Sequence, residues 1–91
     1  MPTVTPPPER YDFPYPGQVV ERILPLEETR KLCEQIGVGR YDACAGFITL
    51  NDGSRACFVV VPENGPDENT DHYIRHEIGH CNGWPAWHPA D

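Results

Sequence analysis

The chain has 91 residues, which is enough for one domain at most. Acidic residues outnumber Lys and Arg by 14 to 7, and the resulting net charge of -7 argues against binding to the phosphates of nucleic acid. No stretch approaches the roughly 18 apolar residues that a membrane span requires, so none is expected.

The first part of the chain, residues 1–17, contains more than half of the eleven prolines. This composition predicts extended or polyproline-type chain. We therefore divide the sequence into a proline-rich N-terminal segment, 1–17, and a single small domain, 18–91. A core of that size contributes only about 3–5 kcal/mol and usually needs cross-links to be stable.

The domain begins with a predicted strand over 18–25, which is rich in branched residues and ends at Pro25. A helix is predicted from Leu26, with Glu27 and Glu28 in its first turn and Gly37 at its end. Two apolar runs, "ACAGFITL" and "RACFVVVP", follow and are joined by "NDGS", which predicts a β-hairpin. The second run could form the edge strand of the sheet, although a core strand is the simpler interpretation.

Four cysteines, none of them in a Cys-x-x-Cys pair, favour two disulfides over a zinc finger or a redox motif. A two-residue turn at "DG" predicts the cross-strand pairs Cys57 with Ile48 and Cys44 with Val61. The strand cysteines would then share a face without being opposite each other, which disfavours a direct bond. Each is expected to reach a helix cysteine, and we favour Cys33–Cys44 with Cys57–Cys81, although the other pairing stays open.

Disulfides form in oxidising compartments. We therefore expect a secreted or periplasmic protein whose signal peptide, absent from this chain, has been removed.

After a polar loop over 63–71, a second helix is predicted to end near Asn82-Gly83. Ile74, Ile78 and Cys81 form its apolar stripe. The order of elements indicates an α+β fold, with a small, mainly antiparallel sheet and both helices on one face.

The second helix carries "HEIGH", in which His76 and His80 are four residues apart and lie on one face. Two imidazoles in this arrangement can bind one zinc ion, and Glu77 lies beside them. The motif resembles His-Glu-x-x-His of the zincin metallopeptidases, and "HEIGHCNG" extends the likeness to His-Glu-x-x-His-x-x-Gly of the metzincin-like groups. The resemblance implies a zinc-dependent hydrolase of peptide or amide bonds in which Glu77 is the general base for a water molecule activated by the metal.

The position of the third metal ligand departs from the metzincin pattern. The family places it three residues after the glycine, where this chain has Ala86, which cannot bind a metal. We expect His88 to replace it, with Asp91 as the alternative. His72 lies a full turn from the other histidines and is a weaker candidate.

Tyr73 and Trp84 are candidate cleft residues. Tyr73 could also stabilise an oxyanion, as tyrosines do in some zincins, or could be an ordinary half-buried aromatic. Trp84 and Trp87 are expected to cover the core near the metal.

Three interpretations of function remain open. The first is a very small zinc peptidase, which we favour. The second is a zinc-binding interaction or structural module without proteolytic activity, and the third is a disulfide-rich interaction protein without metal. The partners implied are a peptide or protein substrate and, if the cleft is incomplete, a partner protein.

Overall fold

The structure is a computed structural model that describes residues 4–90. It contains three strands and two α-helices, whose bounds in chain order are β1 Gln18–Leu24, α1 Leu26–Gln35, β2 Cys44–Thr49, β3 Arg55–Pro62 and α2 Thr70–Cys81. The predicted α+β class, the two helices and the position of the histidine motif on the C-terminal helix are confirmed. No helix in the described part of the chain has the length and apolar character to cross a bilayer.

The sheet is mixed, whereas a mainly antiparallel sheet was predicted. The strand order is β1-β3-β2, with β1 parallel and β2 antiparallel to β3. β3 is the most apolar strand and its side chains are buried on both faces, as is typical of a central strand. The connection through α1 returns the chain to the edge of the sheet where β1 ends, so β2 runs in the direction opposite to β1. The hairpin then reverses the chain again, and β3 pairs with β1 in parallel on the side away from β2.

The hairpin register differs by one residue from the prediction. Cys57 lies opposite Phe47, and Cys44 lies opposite Val60. The cause is a three-residue loop in place of a two-residue turn: the N–H of Leu50 bonds to the carbonyl of Ser54 at 2.7 Å, and Gly53 has a φ of 86°. A shift of one residue exchanges the faces of a strand, so Cys44 and Cys57 lie on opposite faces of the sheet.

The two helices also lie on opposite faces, which corrects the expectation of a shared face. On one side, Cys33 of α1 packs with Cys44 and Val60. On the other side, α2 packs with alternate residues of β3, namely Cys57, Val59 and Val61. Because β3 is apolar along its length, it supplies side chains to both faces: α2 buries Val59 and Val61, and α1 buries Val60.

Both disulfides that we favoured are present, and each joins a strand to a helix. Cys33–Cys44 fixes α1 to β2, and Cys57–Cys81 fixes α2 to β3, with Cα–Cα distances of 6.0 Å in each case. Because the strand cysteines lie on opposite faces, each can reach only the helix on its own side. Two disulfides are consistent with an oxidising, extracytoplasmic environment.

The ends of α2 have clear local causes. The side chain of Asn69 accepts the N–H of Asp71 and caps the first turn. After Asn82, Gly83 adopts a φ of 104° and turns the chain back toward the helix. The chain that follows therefore returns to the face that carries His76 and His80.

Candidate metal centre

Three histidines meet beside the C-terminal half of α2. The Nε2 atom of His88 lies 3.1 Å from Nε2 of His76 and 3.1 Å from Nε2 of His80. One ligand atom from each of the three lies within 4.8 Å of the others, a grouping that could hold a metal ion. The helical spacing brings His76 and His80 together, and the turn after Gly83 brings in His88.

The other ring nitrogens of the two helical histidines bond to backbone carbonyls. Nδ1 of His76 lies 2.6 Å from the carbonyl oxygen of Thr5, and Nδ1 of His80 lies 2.8 Å from that of Trp84. A carbonyl oxygen can only accept, so both Nδ1 atoms donate their protons. The lone pair of each neutral ring is then on Nε2, which is the tautomer and orientation that a metal ligand needs.

Trp84 is buried beneath the histidines, with 3% of its surface exposed. Its ring stacks on His80 at a centroid distance of 4.8 Å and meets His76 and His88 edge-on at 4.9 and 5.0 Å. Its Nε1–H donates to the carbonyl of Pro89 at 2.9 Å, which fixes the chain just after His88. Trp84 therefore positions all three imidazoles, a larger part than the sequence indicated. Trp87, expected to cover the core as well, is 77% exposed.

His88 reaches the site through a tight turn. Its N–H bonds to the carbonyl of Pro85 at 2.9 Å, and its φ is 57°, a left-handed conformation. Ala86, at the position of the third ligand in the metzincin pattern, lines the cleft but has no donor atom. Asp91, the alternative ligand, lies outside the described residues.

His72 does not join the three histidines. Its Nδ1 lies 2.8 Å from Oδ2 of Asp67, in the loop that precedes α2.

Glu77 lies next to the histidines and is almost fully buried, with 5% of its surface exposed. Its Oε2 atom is 3.9 Å from Nε2 of His76, within reach of the site but outside hydrogen-bonding distance. Burial raises the pKa of Glu77 to about 8 in the metal-free protein. The carboxyl group is thus held close to the histidines and has little contact with solvent.

The histidines are also partly removed from water. Burial lowers the pKa of His76 and of His80 from the ordinary value of 6.5, while the bonds to the Thr5 and Trp84 carbonyls act in the opposite direction. Neighbouring imidazoles lower the pKa of both rings further. The neutral, metal-binding form of each ring is therefore favoured at neutral pH.

The histidines open onto a cleft of about 890 Å³ between α2 and β2. Because β3 is central, the strand at this edge of the sheet is β2, and not the second hairpin strand that we considered from sequence. Ala45, Gly46 and Phe47 of β2 line the cleft, and Phe47 is 44% exposed. Within residues 4–90 no strand pairs with the outer edge of β2, so this edge lies open beside the histidines.

Both candidate cleft residues, Tyr73 and Trp84, line this cleft. The Tyr73 hydroxyl, however, accepts the N–H of Asp67 at 3.1 Å and is used in fixing the loop before α2. The ring of Tyr73 packs in the core with Cys57 and Val59.

Comparison of this chain with models of protein families, with curated proteins and with solved structures finds no match. The likeness to the zincins thus depends on the motif and on the site geometry described above, and no family match confirms it.

The donor set fits a transition-metal ion. Three neutral imidazoles suit Zn²⁺, Cu²⁺, Ni²⁺ or Fe²⁺, and they suit Mg²⁺ and Ca²⁺ poorly because those ions prefer oxygen ligands. Three protein ligands with space on the cleft side also leave room for a further ligand, as in catalytic zinc sites.

Proposed function

We propose that this protein is a very small zinc-dependent peptidase that hydrolyses peptide or amide bonds outside the cytoplasm. The observation that carries the proposal is the convergence of three histidine Nε2 atoms beside a buried glutamate on the wall of an open cleft. His76, His80 and His88 would hold the ion. Zinc bound by three imidazoles supplies Lewis acidity, which lowers the pKa of a water molecule and polarises a carbonyl group.

Glu77 is proposed as the general base. Its carboxylate would accept a proton from the attacking water at Oε2 and return that proton to the nitrogen of the leaving amine. The 3.9 Å separation from His76 Nε2 supports this role, because the carboxylate is near the ligand nitrogen without bonding to it. A nearby cation favours the ionised carboxylate and so opposes the effect of burial on its pKa.

The free edge of β2 supports a peptide substrate. An extended chain could add to this edge as a further strand, with main-chain hydrogen bonds that do not depend on its sequence. Phe47, Ala45 and the histidines would then face the same bound segment. Substrate binding at β2 would bring a scissile carbonyl past Glu77 and the metal.

The second candidate is a zinc-binding interaction module without proteolytic activity. It is favoured by exposed aromatic side chains on the cleft wall: Tyr41 is 57% exposed and Phe47 is 44% exposed, and aromatic side chains are enriched where proteins bind each other. A partner protein would then complete the cleft, and the metal would stabilise the surface that the partner meets.

Substitution of Glu77 separates the two candidates. Glu77→Gln should keep one zinc per chain but lose activity on a broad peptide library by at least the roughly 10²–10⁴-fold that general-base catalysis provides. Glu68→Gln is the matched control, since Glu68 is exposed in the loop before α2. Native protein that binds zinc but cleaves nothing would favour the interaction module, and equal cleavage by Glu77→Gln would exclude Glu77 as the base.

A further inference from the structure

The two hydrogen bonds that orient the helical histidines differ in origin. His80 bonds to the carbonyl of Trp84, four residues away on the same turn of chain. His76 bonds to the carbonyl of Thr5, which is 71 residues away in the proline-rich segment. The first bond is local to the end of α2, whereas the second exists only while the N-terminal segment lies against the helix.

Residues 4–13, here called the N-terminal arm, lie along α2 through contacts at several points. Near the start of the helix, the N–H of Val4 donates to Oδ2 of Asp67 at 2.9 Å. Farther along, Asp12 pairs with Arg75. At the end of the helix, the side-chain amide of Asn82 donates to the carbonyls of Tyr11 and Phe13 at 3.0 and 2.6 Å.

Between these points, the arm touches the helix at Gly79. A Cβ atom at position 79 would lie 2.6 Å from Cβ and 2.8 Å from Cγ of Pro7, closer than real Cβ contacts. Pro7 is buried. A glycine is therefore needed at position 79, because only a residue without a Cβ lets the rigid ring of Pro7 lie directly on the backbone of α2.

We propose that the N-terminal arm is a positioning element of the metal centre, which fixes the tautomer and orientation of His76 through the Thr5 carbonyl and so couples metal affinity to arm docking. The proposal rests on the metal site but not on peptidase activity. An undocked arm would leave His76 free to rotate and to carry its proton on either nitrogen, and that freedom must be lost when a metal binds.

Asp67 is the anchor closest to Thr5. Its carboxylate accepts the N–H groups of Val4 and Asn69 and contacts Nδ1 of His72. Backbone hydrogen bonds from Asn69 and Val4 hold the pKa of Asp67 at about 2, so the anchor is ionised at neutral pH. Because Asp67 touches none of the three metal-binding histidines in these contacts, its removal would act on them through the arm.

Coupling between arm and metal is reciprocal. If docking of the arm raises metal affinity by some factor, metal binding must favour the docked arm by the same factor. Arg10 is exposed within the arm and offers a trypsin site that reports on docking.

The first experiment measures zinc affinity of the full chain by competition with a chromophoric chelator. Asp67→Ala and Gly79→Ala should each weaken zinc binding by the roughly 10–100-fold typical of lost outer-shell partners. Asp71→Ala, an exposed acid of the first turn, and Glu68→Ala, an exposed acid next to Asp67, are the matched controls and should keep the native affinity. Asp67→Ala decides the outcome, because the added Cβ of Gly79→Ala would also lie 3.2 Å from Cε3 of Trp84, which itself positions the imidazoles.

Native affinity in a folded Asp67→Ala variant would overturn the proposal, because the arm would then contribute packing only. Native protein that binds no zinc would overturn the metal site itself, which is a separate failure.

The second experiment follows trypsin cleavage after Arg10 with and without zinc. Zinc should slow this cleavage in the native protein and should not do so in His88→Ala, which lacks one ligand. An equal cleavage rate in zinc-bound and zinc-free native protein would also overturn the coupling.

Discussion

His88 combines an uncommon backbone conformation with a side chain that completes the site. The left-handed conformation at φ 57° costs a non-glycine residue about 1 kcal/mol, although histidine adopts it more readily than most. The bond from its N–H to the Pro85 carbonyl holds the turn, and the Trp84 indole holds the chain at Pro89. The conformation places the imidazole against two others, an arrangement that a bound cation would stabilise.

Removal of the His88 imidazole should weaken metal binding more than the loss of a group that only orients the histidines, such as the N-terminal arm. His88→Ala is expected to lower zinc affinity by more than about 100-fold, because two helical histidines alone form an incomplete site. Trp87→Ala is the control from the same turn, since Trp87 is 77% exposed. Elemental analysis of both variants, purified without added zinc, would detect the difference. A full equivalent of zinc in His88→Ala would exclude His88 as a ligand.

Among the elements, β3 and its disulfide determine where α2, the helix that carries His76 and His80, lies. β3 pairs with both other strands and buries side chains against both helices. Cys57 at its start is bonded to Cys81, the residue after the second motif histidine, so the C-terminal end of α2 is fixed to the sheet. Cys33–Cys44 fixes the other helix, on the sheet face opposite the three histidines.

The two disulfides should therefore differ in their effects. The sequence separations are 24 for Cys57–Cys81 and 11 for Cys33–Cys44, so chain entropy makes the first more stabilising by about 0.7 kcal/mol. The double variant Cys57→Ala/Cys81→Ala should lose both stability and zinc affinity, whereas Cys33→Ala/Cys44→Ala should lose stability alone. Denaturant unfolding and zinc competition on the two variants test this directly. Equal loss of zinc affinity in both would contradict a local role for Cys57–Cys81.

In the whole molecule, the stability of the metal-free protein and its site chemistry are linked through Glu77. The pKa of Glu77 is raised to about 8 in the folded state from an ordinary value of 4.5. Between these values the folded chain binds more protons than the unfolded chain. The protonated Glu77 therefore stabilises the fold relative to the ionised one. The stabilisation is fully present below about pH 4.5 and is lost as the pH rises through about 8. His76 and His80 have the opposite effect, because their pKa values are lowered in the folded protein. Below about pH 6.5 the unfolded chain therefore binds more protons at these two residues, and the free energy of unfolding falls as the pH falls.

Between pH 7 and 8 the Glu77 effect should therefore dominate. The free energy of unfolding of metal-free native protein is expected to fall by about 1 kcal/mol over this interval. Glu77→Gln cannot ionise at this position and should show no such fall, while Glu68→Gln should behave as the native protein does. Denaturant titrations in the presence of a chelator provide the measurement. A native protein whose stability is constant from pH 7 to 8 would argue against a buried, protonated Glu77.

Several features were predictable because their signals are local. The i, i+4 spacing of His76 and His80 and the end of α2 at Gly83 each depend on a few neighbouring residues. The hairpin was also predicted, but its register was wrong by one residue, because "NDGS" fits both a two-residue turn and a three-residue loop. The disulfide pairing that we favoured is present, but the reason for it differs from the one we gave. The predicted register placed Cys44 and Cys57 on the same face of the sheet, whereas the observed register places them on opposite faces, each beside one helix cysteine.

The sequence by itself determined the α+β class and the histidine motif on the last helix, and it made His88 the favoured of two candidates, with Asp91, for the third ligand. Only the tertiary structure decided that β1 joins β3 in parallel, that β2 forms the open edge and that Thr5 orients His76. These contacts join residues up to 71 positions apart. Periodicity and turn chemistry describe how a segment folds against its neighbours in sequence, and they carry no information about which distant carbonyl will meet a given imidazole. That choice depends on how the apolar faces of β3 are shared between two helices, which is a property of the packed molecule.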